Sequence, residues 1–334
     1  EYQMDYYIVP TADFHQSEYV GDQGWKLADV YDKKITPEQF LTQLSDEDLI
    51  CMTRGEGMCS PKVTPGTAAA FGGVTDGLQQ FGIPVACCSD GPSGIRMDCG
   101  TMAYALPNGT LLACTFDPEL VEELYEMEGM ELRKNKIDSL LGPGINIHRN
   151  PLNGRNFEYF SEDPYLTGTM AAAQLKGMGK YGVTGTIKHF ACNNQEDNRM
   201  GVDSCVSERA LREIYLRGFE IAVKEGNPVS IMTSYNLING IHAANSKDLC
   251  MTVARKEWGF DGAIMSDWNT TVPEDGSVPW KCVAAGNDII MPGNPDDDKN
   301  IRQAYKEGKL TEEEIRNCAG HLVSMIRRLE RTDC

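Results

Sequence analysis

Several short apolar segments of this 334-residue chain end in side chains capable of chemistry. IPVACCS runs into Asp90. SLLGPGINI leads into HRNPLNGRNFEYFSEDP, which carries Arg149, Arg155 and Glu158. VTGTIKHF ends in Lys188 and His189, followed by Asn193, Asn194, Gln195 and Glu196. PVSIMTSY supplies Met232, Ser234 and Tyr235, and GAIMSDW ends in Asp267 and Trp268. Each has a bland explanation: a strand-end aspartate caps a helix, a lysine–histidine pair is satisfied locally, a tryptophan packs. Gathered on one rim, such groups must desolvate one another or bind something. The set suits a sugar, whose hydroxyls need directional donors and acceptors and whose C–H face stacks on an aromatic ring. No histidine stands at metal-ligand spacing, and no phosphate-cradling glycine loop or dinucleotide fingerprint follows a strand, so neither metal nor cofactor is expected.

The elements that would position these groups alternate. Strand candidates are 83–89, 139–147, 183–190, 228–235, 262–268 and 287–293, each continuously apolar as in strands buried on both faces. Helix starts lie between them: Thr36-Pro37-Glu38, Asp117-Pro118-Glu119, Ser207, and a capping box at Thr311 and Glu314. Behind Thr311, residues Ile315, Cys318, Leu322, Ile326 and Leu329 share one face. Strand–helix alternation implies a parallel sheet, and six clear strands plus less regular early ones predict an α/β fold of the (β/α)8 TIM-barrel type, complete or with strands missing or collapsed. An open doubly wound sheet is the competitor. In a barrel the polar groups above sit at the C-terminal strand ends, where active sites form. Residues 36–334 read as one barrel domain. Residues 1–35, with five tyrosines and no periodicity, read as a strap or the tail of a preceding domain.

Composition excludes some partners. A net charge of −18 argues against nucleic acid and anionic membrane surfaces. No apolar run reaches the length of a membrane span, and no signal peptide is visible. Twelve cysteines without CxxC pairing read as small buried hydrophobes in a reducing compartment, which points to the cytoplasm. The first residue is not Met, so the chain reads as processed or excised.

SDGPSGIR, GPGINIHRNPLNGRNFEYFSEDP, KHFACNNQEDNR, IMTSYNLINGIHAANS and GFDGAIMSDW together resemble glycoside hydrolase family 3, in the family's order and over roughly residues 83–293. The resemblance implies a retaining, exo-acting β-glycosidase, with Asp267 as the nucleophile that forms a glycosyl-enzyme. It implies that Asp90, Arg155, Lys188 and His189 bind hydroxyls of a terminal β-glucoside or oligosaccharide, with Met232, Tyr235 and Trp268 beside the nucleophile. Glu158 fits an orienting role, with Arg149 on the same loop. A general acid is missing: the loop ACNNQEDNRMGVD lacks the histidine that one branch uses, and Glu196 is the in-chain candidate. In the β-glucosidase branch the acid comes from an α/β sandwich domain, so a separate domain or chain is expected to supply it. GEGMCSPKVTPGTAAAFGGVT resembles the group that carries this domain before the barrel. Glucose is the expected sugar, with xylose open. A non-catalytic carbohydrate-binding barrel and a Schiff-base enzyme using Lys188 are the competing functions.

Overall fold

The computed structural model describes Phe14 and residues 17–329, so positions 1–13, 15 and 16 of the expected strap lie outside the described residues. Among the described residues ten strands form: β1 (Glu56–Gly57), β2 (Ala69–Gly72), β3 (Val85–Asp90), β4 (Ser139–Leu141), β5 (Thr184–Phe190), β6 (Asp203–Ser204), β7 (Ser230–Thr233), β8 (Leu237–Ile238), β9 (Ile241–His242) and β10 (Ala263–Met265). Seven build a curled sheet in the order β1-β2-β3-β4-β5-β7-β10, while β6, β8 and β9 form a small sheet of their own. From β3 to β10 every pairing in the large sheet is parallel. Single parallel bridges then join Met265 to Ile289 and Ile290 to Arg54, backed by the bonds Ser266 N to Ile289 O (2.8 Å) and Gly55 N to Ile290 O (3.0 Å).

Two expectations change. The segment expected as strand 139–147 is regular only over Ser139–Leu141: proline in Gly142-Pro143 has no N–H for a ladder, and pairing resumes beyond it as a single parallel bridge from Gly144 to Lys188. The early strands β1, β2 and β3 pair antiparallel rather than parallel. The helix between β2 and β3, Asp76–Gln80, spans five residues, about 7.5 Å. It is shorter than β2, so the chain turns back beside the strand instead of crossing over.

The helix starts lie where capping chemistry puts them. Thr36 and Thr311 form capping boxes with Gln39 and Glu314, and Asp117 accepts from Leu120 N ahead of Pro118. Ser207 accepts from Ala210 N. The helix behind it is not continuous, because π turns at Leu211–Tyr215 and Ala222–Gly226 flank Arg217–Ile221.

The core has two large clusters. One brings Phe14, Leu27, Phe40 and Phe71 against Met265, Ile289 and the expected apolar face of helix Glu312–Arg328. The other is drawn from Ile95 to Ile264 and includes Tyr125, Leu175, Ile187 and Phe190. Cys87 and Cys88 point to opposite faces, one into the small cluster of Val63 and Ala70, the other into the first core. Cys59, Cys99, Cys114 and Cys205 are exposed, so the reading of the cysteines as buried hydrophobes fails for these four.

Two buried polar features stand out. Asp288 accepts from Arg255 Nη2 (2.5 Å) and Ile264 N (2.6 Å) and lies 2.9 Å from His321 Nδ1. Glu128, on helix Pro118–Lys134, has neither carboxyl oxygen hydrogen-bonded among the described residues, and burial pushes its pKa up to about 8. No helix among the described residues is long and apolar enough to cross a membrane.

Candidate active site

The C-terminal ends of β3, β5, β7 and β10 open onto a cleft of about 420 Å³, within the range of small-molecule sites. Asp90 closes β3. Lys188 and His189 lie near the end of β5, Met232 lies on β7 with Tyr235 just past it, and Asp267 and Trp268 follow β10. Adjacent strand residues ordinarily face opposite sides. Here Lys188 and His189 both line the cleft, and the peptide bond between them is cis. Arg155 arrives from the irregular loop after β4.

Asp267 is 7% exposed. Its Oδ1 accepts from Trp268 N at 2.7 Å, while Oδ2 has no hydrogen-bond partner among the described residues. His189 Nε2 lies 3.8 Å from that oxygen. Burial raises the Asp267 pKa above its ordinary value, and the charges of Arg155 and Lys188 oppose this only in part. Tyr235 donates its hydroxyl to Trp268 O (2.8 Å) and faces the same carboxyl, and its own pKa is pushed up by burial and by the Asp267 charge.

Lys188, 4% exposed, donates to Asp90 Oδ1 at 3.0 Å. Burial pushes Asp90 up, but the Lys188 charge and hydrogen bond outweigh it and hold the carboxyl below its usual range. His189 is held well below its usual pKa, first by burial and then by the cations Arg155, Lys188 and Arg199, so it is neutral. The cleft thus combines a desolvated carboxylate with one uncommitted oxygen, a lysine–aspartate pair presenting both donor and acceptor, and a neutral imidazole. Among the described residues no group of His, Cys, Asp and Glu could hold a metal ion.

The expected site residues Asp90, Arg155, Lys188, His189, Met232, Tyr235, Asp267 and Trp268 are brought together here. Glu158 stands behind the wall, ion-paired to Arg155. Glu196 also lies behind it, 3.9 Å from Arg155 Nε, with its oxygens accepting from Asn193 Nδ2 (3.0 Å) and Arg199 Nη1 (3.1 Å). Arg149 is not in the cleft: it lines a neighbouring polar hollow together with Glu196, because the loop after β4 turns between Arg149 and Arg155.

Sequence reasoning missed Arg96 and Arg199, which line the cleft, and Tyr159, whose hydroxyl meets His189 Nδ1; Asn193, named at the end of the same strand, bonds that hydroxyl. Arg199 lies with Cζ 4.5 Å from the centroid of the Tyr235 ring. Its spacing of three from Glu196 was visible, but that spacing is a pairing signal on a helix, and here the pair closes across a turn.

The family model described as the glycosyl hydrolase family 3 N terminal domain matches residues 67–325. The chain is similar to a β-glucosidase of Ruminococcus albus, 55% identical over 93% of this chain and 34% of that protein. It is also similar to an exo-alpha-(1->6)-L-arabinopyranosidase of Bifidobacterium longum, 40% identical over 75% of this chain and 34% of that protein. Among solved structures it resembles a β-glucosidase from Paenibacillus barengoltzii, with a TM-score of 0.90 and 53% identity over 95% of this chain and 36% of that one. It likewise resembles β-glucosidase 3B from Thermotoga neapolitana in complex with glucose, with a TM-score of 0.81 and 41% identity over 88% of this chain and 42% of that one. The chain spans about a third of the length of the curated relatives it matches. On the matched span, the identity and the shared fold, the chain belongs to glycosyl hydrolase family 3.

Proposed function

We propose that this chain is the catalytic TIM-type barrel of a retaining, exo-acting β-glucosidase, with Asp267 as nucleophile. The observation that carries the reading is the asymmetry of the Asp267 carboxyl in the lining of the cleft: one oxygen is held by the Trp268 N–H, the other is buried with no hydrogen-bond partner among the described residues. In the proposed reaction Oδ2 attacks the anomeric carbon, the bond to the aglycone oxygen breaks, and water then releases the sugar from the ester. Lys188 and Asp90 bind distal hydroxyls as a donor–acceptor pair. Arg155 holds positive charge near the nucleophile and favours its ionised form.

The aglycone oxygen needs a proton from an acid. Glu196 is poorly suited, since both its oxygens already accept hydrogen bonds. We assign the acid to an α/β sandwich domain or chain outside residues 36–334. The relatives' length, about three times the matched span, supports this. Free thiols at the described cysteines support a reducing, cytoplasmic setting. A second reading, hydrolysis of a pentopyranoside, is favoured by the likeness to the arabinopyranosidase.

A 2-deoxy-2-fluoroglucosyl donor with an activated leaving group tests the reading, because such a leaving group needs little protonation. An adduct mapped to Asp267 is the expected result. A folded chain that is labelled elsewhere, or not labelled even with the upstream domain supplied, would refute it.

A further inference from the structure

The proposed reaction leaves unexplained a line of buried hydrogen bonds behind His189. Tyr159 is fully buried and Asn193 is 1% exposed. The Tyr159 hydroxyl lies 3.0 Å from His189 Nδ1, and Asn193 Nδ2 lies 3.0 Å from that hydroxyl. The same Asn193 nitrogen lies 3.0 Å from Glu196 Oε1, which also pairs with Arg155, and Arg199 lies 3.1 Å from Oε2.

These contacts have one consistent direction. The Glu196 carboxylate only accepts, so the Asn193 amide must turn its NH₂ toward it. That NH₂ also donates to the Tyr159 oxygen, which leaves the phenol proton free to point at Nδ1. His189 is neutral and carries a single ring proton. If Nδ1 accepts, the proton must sit on Nε2, the nitrogen 3.8 Å from the unpaired Asp267 Oδ2. The opposite tautomer would aim a lone pair at the carboxylate.

The backbone also holds the imidazole. The Asn146 amide spans the His189 peptide, with Oδ1 accepting from His189 N (2.9 Å) and Nδ2 donating to His189 O (2.9 Å). Asn146 Oδ1 is also 3.4 Å from Nδ1, an alternative acceptor if the phenol is removed. The Tyr159 ring meets the imidazole edge-on, with centroids 6.0 Å apart. It lies close against Gly144, where an added Cβ would come within 2.9 Å of it.

We infer that Tyr159, oriented by Asn193, is a positioning residue that selects the Nε2–H tautomer of His189 and so presents a donor to the nucleophile's free oxygen or to a bound sugar hydroxyl. The functional half of this inference rests on the proposed role of Asp267; the tautomer does not.

The test combines histidine ring ¹⁵N spectra with labelling by the fluoroglucosyl donor, in the chain and in Tyr159→Phe, with His189→Gln assigning the signals. The wild type is expected to show a protonated Nε2 and a bare Nδ1. In Tyr159→Phe the proton is expected to move to Nδ1, facing Asn146, and the labelling rate to fall about tenfold, the scale of one net hydrogen bond. If that variant does not fold, Asn193→Ala frees the phenol to accept, and both ring forms are expected. A wild-type ring protonated on Nδ1, or an unchanged ring in every folded variant, overturns the inference. Absence of any adduct in the wild type, even with the upstream domain supplied, would instead sink the nucleophile assignment, while the ring spectra would still decide the tautomer.

Discussion

Removing Asp288 tests how the strand that leads into Asp267, the proposed nucleophile, is anchored. Arg255 and Asp288 are each 1% exposed, and His321 is 4% exposed. With Asp288→Ala the Arg255 guanidinium keeps only its bonds to Phe260 O (3.3 Å) and Gly262 O (2.9 Å), and Ile264 N loses its acceptor. Breaking a buried pair from one side costs about 3–5 kcal/mol. An unfolding entropy of about 2.1 cal/mol/K per residue gives about 0.7 kcal/mol/K for 334 residues, so Tm should fall by about 4–7 °C. The double variant Arg255→Met/Asp288→Leu leaves no buried charge and should recover most of that loss. Calorimetry of the three proteins is the assay. A fall below 1 °C for Asp288→Ala, or a double variant as damaged as the single one, refutes the reasoning. A functional echo is expected as well: Asp288 N donates to Ile264 O (2.7 Å), and Ser266 Oγ accepts from Met291 N (2.9 Å), so a loosened 288–291 segment should also slow labelling of Asp267.

The other expectations follow the same physics. Asp267→Asn should abolish labelling yet raise Tm at pH 7. The folded carboxyl titrates above its unfolded value, so its charge costs stability as pH rises through the folded pKa; melts that are lower at pH 7, or no different there from those at pH 3, would contradict this. Glu128, raised to about 8 by burial, favours the folded state less and less from about pH 4.5 to about pH 8; Glu128→Gln should flatten that slope in pH-dependent denaturation, and an unchanged slope would argue against a buried neutral acid. Gly144→Ala puts a Cβ within 2.9 Å of the Tyr159 ring and should cost about 1–3 kcal/mol of stability and slow labelling, as read by urea midpoints and adduct formation; a neutral result would show that the ring can move. Lys188→Met removes the cation that holds Asp90 down, so glucose binding should weaken and its acid limb shift to higher pH by calorimetric titration; an unshifted limb would separate Asp90 from sugar binding.

Much of the site was legible because it lies at strand ends. A buried parallel strand is a bare apolar run, so polar residues closing such runs at Asp90, Lys188, Tyr235 and Asp267 stand out in one dimension and meet in three. The helix starts were legible for a local reason: caps at Thr36, Asp117, Ser207 and Thr311 act within four residues. What escaped depends on loops. Arg149 and Arg155 are six residues apart in a segment without period, and nothing local says which one turns into the cleft. Tyr159 looked like one aromatic among several; only the partners His189 and Asn193, 30 and 34 positions away, give it a direction. The antiparallel start of the sheet was hidden because apolar content in β2 does not encode which way a strand runs.

The two-part core has a consequence for how the protein is made. The cluster drawn from Ile95 to Ile264 can bury itself while synthesis continues, whereas the other joins residues near Phe14 to a helix some 300 positions later. At about 5–20 residues per second, the separation of 303 positions between Phe14 and Asn317 leaves Phe14 without its final partners for about 15–60 s on the ribosome, and Leu27, Phe40 and Phe71 for somewhat less. Substitutions on these early segments should therefore show first as lost yield and chaperone dependence, in protein whose surviving molecules are chemically unaltered.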